Sequence, residues 1–160
     1  MIAEYESADR SPLLDAPRPY GLSQQHKHLP EMALYAGLDH PPVFCPIVGD
    51  FYAGMETLIP LTPAETSCTP EELRRIFRDY YQDSTLIRFR EDDPESGFLS
   101  AGALSGRDDL EIRVLGQQDR MLLSARFDNL GKGASGAAIE NINLALGLCE
   151  TEGLVVCPDE

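Results

Sequence analysis

No stretch of this 160-residue chain approaches the 18 or more consecutive apolar residues that a membrane span needs. The opening Met1-Ile-Ala-Glu-Tyr-Glu-Ser is neither basic nor followed by an apolar run, so no secretory signal is visible. We therefore expect no membrane partner and a cytoplasmic location. Cations are scarce: 13 Lys and Arg stand against 27 Asp and Glu, a formal net charge of −14. Neutralising a phosphate backbone takes clustered cations, so nucleic acid is excluded as a partner, and the acidity is that of a solvated surface. The four cysteines, Cys45, Cys68, Cys149 and Cys157, form no C-x-x-C pair, and His26 and His28 lie far from all of them. A chain of this length needs no disulfides, so free thiols are expected and no metal site is assigned.

What is present is ordinary globular material. Hydrophobic residues make up 42% and charged residues 25%, enough for one domain, 1–160, with a real core. Residues 1–9 read as the frayed end of a helix, and 11–19 as a Pro-rich irregular stretch. Tyr20-Gly-Leu-Ser reads as a short strand. Pro30 and Glu31 suit the first turn of a helix through Met32, Leu34 and Tyr35 that stops at Gly37. Val43–Val48 reads as a buried strand, and 55–61 as a strand whose Pro60 argues for an edge or a bulge. Thr69-Pro-Glu-Glu72 has the makings of a capping box, with Leu73, Ile76, Phe77 and Tyr80 at helical spacing behind it. Residues 86–90 read as a strand and 91–109 as the longest loop. Leu110–Leu115 and Met121–Phe127 alternate around a turn at Gly116–Asp119, which predicts an antiparallel hairpin. Residues 137–147 make a last helix with Ala138, Ile142 and Leu146 in line. Long antiparallel strands with helices on one face give an α+β layer, not a doubly wound sheet.

Gly131-Lys-Gly-Ala-Ser-Gly136 matches G-x-G-x-x-G after a strand and before a helix. A dinucleotide fingerprint also needs a second parallel strand after that helix, and too little chain remains for one. A Walker A loop is excluded as well, because glycine follows Lys132 where Ser or Thr is required. What remains is close approach of the backbone to something, either a ligand at a helix N-terminus or simply a packed neighbour. The pair His26 and His28 precedes a helix. Imidazole exchanges protons near neutrality and suits general acid/base work, although two exposed polar loop residues would give the same pattern. His40, in Asp39-His-Pro-Pro, reads as structural or solvent-facing.

Three segments carry a resemblance: His26-Lys-His-Leu-Pro-Glu-Met32, Val48-Gly-Asp-Phe-Tyr-Ala-Gly-Met55 and Asp128-Asn-Leu-Gly-Lys-Gly-Ala-Ser-Gly-Ala-Ala138. In order and spacing the chain resembles the shorter class of N-acetyl-γ-glutamyl-phosphate reductase from its first residues to about Val155. The resemblance implies the substrate and dimerisation domain of that enzyme, with an α+β fold like the C-terminal domain of glyceraldehyde-3-phosphate dehydrogenase. A Rossmann domain outside this chain would hold most of the NADP. It further implies that a cysteine thiolate attacks an acyl phosphate and that NADPH reduces the thioester, a step of arginine biosynthesis. Carried over by residue, His28 and His26 would be the catalytic pair, with His28 favoured as acid/base. Tyr20 would line the substrate pocket, and Asn129, Gly131 and Lys132 would lie at the nicotinamide. Arg126 is a further candidate for a substrate phosphate or carboxylate, with a surface salt bridge as its plainer role. The chain departs from the family in lacking its Gly-Cys-Tyr-Pro nucleophile motif. In isolation it should therefore associate with another copy of itself but not turn over. A stand-alone interaction module and an independent NADP-binding protein are the alternatives.

Overall fold

The computed structural model describes residues 2–92 and 95–157. The expected loop at 91–109 includes Asp93 and Pro94, and the tail includes 158–160; these lie outside the described residues. The chain forms two compact units, Met1–Phe51 and Tyr52–Glu160.

The first unit is mostly irregular. Helix α1 (Ile2–Tyr5) is followed by a 3-10 turn (Pro12–Asp15), in which the Ser11 hydroxyl accepts from Leu13 N at 3.3 Å. Arg10 ties this turn to the end of the unit, bridging Asp15 and, at 2.7 Å, Asp50. Strand β1 (Arg18–Pro19) pairs antiparallel with β2 (Ile47–Val48). The strand expected at Tyr20–Ser23 is therefore displaced. Gly21 and Gln24 have φ of 62° and 55°, and Gln24 N donates to Gly21 O at 3.0 Å, so this stretch turns. Helix α2 (Leu29–Ala36) has Pro30 in its first turn and ends at Gly37, φ 64°, as expected. The buried strand expected at Val43–Val48 shrinks to two residues, with Val43 84% and Ile47 64% exposed. Pro41, Pro42 and Pro46 remove the N–H donors that a longer ladder would need.

The second unit is built on a four-stranded sheet in the order β3-β6-β5-β4, from β3 (Met55–Leu61), β4 (Ile87–Phe89), β5 (Leu110–Gln117) and β6 (Arg120–Phe127). All pairs are antiparallel except β4 with β5. The α+β class holds, and Pro60 sits on an edge strand, where a missing N–H is tolerated. The hairpin turn is two residues later than its glycine suggests, since Gln117 pairs with Arg120 and Gly116 (φ 89°) lies within β5. Helix α3 (Pro70–Tyr81) opens with the full capping box, Thr69 and Glu72 reciprocating. Phe77 stacks on Phe89 of β4 at 6.3 Å and on Tyr81 at 6.4 Å. Tyr81, not the expected Tyr80 (77% exposed), completes the inner stripe.

Register divides the sheet into two unlike faces. Leu110, Ile112 and Val114 pair with Phe127, Ala125 and Leu123 on the apolar face, while Glu111 and Arg113 pair with Arg126 and Ser124 on the other. All four of those polar residues are buried. Past β6, a π-helical turn (Gly131–Ser135) runs into α4 (Gly136–Leu146). The line of Ala138, Ile142 and Leu146 on α4 is exposed, Ile142 at 56% and Leu146 at 68%. The helix is held instead through buried Asn143, whose amide donates to Glu150 O and Glu152 O at 3.1 and 2.9 Å.

Candidate active site

In the first unit the structure brings together Tyr20, His26 and His28. The turn through Gly21 and Gln24 folds the chain back, and α2 starts at its end with His28 as the residue before the first helical position. The half-buried His26 ring lies edge-on to His28 at 4.7 Å, to Phe44 at 5.1 Å and to Tyr20 at 6.2 Å. His26 Nδ1 accepts from His28 N at 3.3 Å. A neutral His26 in this arrangement carries its proton on Nε2. The side chain of His28 is exposed, as is Tyr20, so both are open to a ligand. His40 is exposed and apart from this cluster's contacts. Phe44 and Gln24 complete the cluster and were not singled out by sequence reasoning, because an aromatic and an amide in a Pro-rich loop carry no spacing signal.

In the second unit Asn129 sits between the end of β6 and the π-helical turn. Its Oδ1 accepts from Gly54 N at 2.8 Å. Its amide nitrogen makes no hydrogen bond among the described residues, which leaves a fixed donor for a ligand carbonyl. Asp128, 3% exposed, accepts from Leu130 N at 2.7 Å, from Gly131 N at 3.1 Å and from Gly106 N. Burial alone would push this carboxyl up, but the three N–H donors hold it below the usual aspartate value. Asp128 thus fixes the turn on which Asn129 stands.

The glycine-rich segment approaches its own chain. A Cβ on Gly131 would lie 2.5 Å from Arg107 O and 2.9 Å from Asp108 Oδ1, and one on Gly136 would collide with the same carboxylate. Lys132 Nζ is held by Glu140, with 12% of its side chain exposed, so its ammonium is already engaged. Of the two readings left open by the sequence, packed neighbour and ligand, the side-chain contacts of these residues belong to the first.

Arg126 is placed differently from either expectation. It forms a salt bridge, but a buried one. Its guanidinium, 3% exposed, donates to Glu111 Oε2 at 2.9 Å, to Ser100 O at 3.1 Å and to Glu95. Glu111 also meets Arg113 at 3.4 Å and Arg90 at 3.9 Å. These groups line a cavity of about 400 Å³ with Arg107, Asp92 and Leu104. Two carboxylates and a carbonyl engage both terminal nitrogens of Arg126, and its buried Nε has no partner among the described residues. Among the described residues, no group of three or more His, Cys, Asp or Glu is placed to hold a metal ion.

Residues 4–129 match the model of the semialdehyde dehydrogenase dimerisation domain, and the chain belongs to that family. Among its relatives are N-acetyl-gamma-glutamyl-phosphate reductase 2 of Nostoc sp., 43% identical over 145 residues, and the N-acetyl-gamma-glutamyl-phosphate reductase of Burkholderia orbicola, 40% identical over 154. These matches cover 84% and 91% of this chain but 45% and 49% of those proteins. The corresponding protein of Brucella ovis is 37% identical, with 50% of its length matched. The chain spans about half the length of the curated relatives it matches.

Proposed function

We propose that this chain is the substrate-binding and dimerisation half of an N-acetyl-γ-glutamyl-phosphate reductase, acting in the cytoplasm on an acyl phosphate as a homo-oligomer. Neither nucleic acid nor membrane is a partner in this reading; no described helix is long and apolar enough to cross a membrane. The observation that carries it is the Tyr20–His26–His28 cluster, an ordered imidazole holding the backbone of an exposed one. His28 is the acid/base that protonates the oxygen of the reduced carbonyl, His26 orients it, and Tyr20 borders the substrate. NADP would supply the hydride, and most of it would be held outside this chain. The residues present fit its nicotinamide end only. Asn129 offers an amide N–H to the carboxamide, while Gly131 and Lys132 border it through backbone, since Glu140 occupies the Lys132 ammonium. Arg126 is left out of the site because Glu95, Ser100 O and Glu111 engage both of its terminal nitrogens.

The test is to read the coding sequence upstream of Met1 and express the joined protein. We expect a Gly-Cys-Tyr-Pro segment there and NADPH oxidation on N-acetyl-γ-glutamyl phosphate, which His28→Ala lowers by about 10²–10⁴-fold. The isolated chain should show none. A stop codon directly upstream, or full activity in His28→Ala, would refute the proposal. In the first case the better reading is a non-catalytic association module, which the apolar exposed β3 favours: Leu58 and Ile59 are 51% and 49% exposed on opposite faces.

A further inference from the structure

The geometry points to Gln24 as the residue that positions the histidine pair, a role that rests on the proposed use of that pair. Gln24 is one of two described non-glycine residues with positive φ, at 55°, a conformation L side chains adopt at a cost. Its amide does what a neighbouring strand would do. Nε2 donates to Phe44 O at 2.7 Å, and Oε1 accepts from Phe44 N at 2.9 Å. Both backbone groups of one residue are thereby satisfied by one side chain, in a segment where Pro41, Pro42 and Pro46 prevent a ladder. A single bond would let Phe44 swivel; two fix it.

The consequence reaches His26 through contact. Phe44 presents its ring to the His26 imidazole at 5.1 Å and 63°, with Tyr20 beside it. His26, held in this way, keeps Nδ1 aimed at His28 N, which sets where α2 begins and from where the His28 side chain projects. Among the described residues, the Gln24 side chain hydrogen-bonds Phe44 and neither histidine. It acts through Phe44, and it is a positioning residue, not a catalytic one. The strained backbone is what lets the side chain reach across: the tight turn, with Gln24 N bonded to Gly21 O at 3.0 Å, directs its amide at Phe44.

The readout is the imidazole tautomer of His26, followed by long-range proton–nitrogen correlation in the labelled 160-residue chain, with exposed His40 as internal reference. In the wild type, with the imidazoles neutral, His26 should show a single Nε2–H form and His40 a mixture. Gln24→Gly suits the positive φ, so it removes the clamp without endangering the turn. Gln24→Met keeps the side-chain length without its hydrogen bonds. Both variants should lose the single form and give His26 the mixed pattern of His40, with the amide spectrum of the second unit unchanged. A wild-type His26 already mixed, or a single tautomer surviving in Gln24→Gly, overturns the assignment. The catalytic proposal fails separately, by activity persisting in the joined protein without His28.

Discussion

Replacing Arg126 by methionine tests whether the buried charged layer around Glu111 is structural. The substitution keeps most of the buried hydrocarbon and removes three donors: those to Glu95, Ser100 O and Glu111. Removing one partner of a buried ion pair costs about 3–5 kcal/mol, because the other charge is left uncompensated. Here Glu111 retains Arg113 at 3.4 Å and Arg90 at 3.9 Å, and Glu95 reaches water, so the lower end, about 3 kcal/mol, applies. For a chain of this size that is a fall in melting temperature of roughly 6–12 °C. Circular dichroism at 222 nm measures it. Adding Glu95→Gln neutralises the carboxylate whose ion pair was with Arg126, keeps an acceptor for Ser100 N, and should recover part of the loss, since removing both charges costs less than stranding one. A drop below about 2 °C, or a double variant as unstable as the sum of the singles, would show that the layer contributes no coupled stability.

Acid should weaken the same unit. The hydrogen bond from Arg126 holds Glu95 below the usual carboxylate range, and Asp128 is lowered by its backbone donors against the upward push of burial. Carboxyls depressed by folding contribute stability above their unfolded values, about 3.9–4.3, and lose it as pH falls through the lower folded values. The melting temperature should thus decline below about pH 4, less so in Asp128→Asn; a rise towards acid would contradict this. Leu58 of β3 and Leu122 of β6, opposite Ser124 and Pro60 in register, are 51% and 37% exposed, so Leu58→Asp or Leu122→Asp should shift sedimentation towards monomer without lowering the melting temperature. Unchanged sedimentation would place association elsewhere. Gly116→Ala sets a Cβ against Arg120 O at φ 89° and should cost at least about 1 kcal/mol; a neutral result in thermal unfolding would mean the hairpin end is loose.

Elements with local chemical signatures were legible in the sequence. Thr69 and Glu72 announced α3, Gly37 ended α2, and alternation set the β5–β6 hairpin. What misled was the assumption that apolar means inward. Val43, Ile47, Ile142 and Leu146 are apolar and exposed, as a surface that meets something outside this chain would be. The polar face of the sheet was equally unreadable, since Glu111, Arg113 and Arg126 look like solvent residues until the segment above them supplies partners. In the candidate site, the histidine pair was visible by residue type. Gln24 and Phe44 were not, because their bond spans twenty residues and depends on one backbone angle.

Asp108 joins three parts of the second unit that are distant in sequence. It exchanges hydrogen bonds with Val155, N to O at 2.7 Å and Val155 N to Oδ2 at 2.9 Å, while Oδ1 fills the space that side chains at Gly131 and Gly136 would need. The tail near Val155 is therefore the anchor of a wedge. Trimming the chain ahead of Val155 frees the carboxylate to turn away, and the turn bearing Asn129 loses the surface it rests on. A side chain at Gly136 needs that wedge withdrawn, whereas Gly131 stays closed by Arg107 O at 2.5 Å whatever Asp108 does. Positions 108 and 136 are therefore coupled, and position 131 is held to glycine by backbone alone.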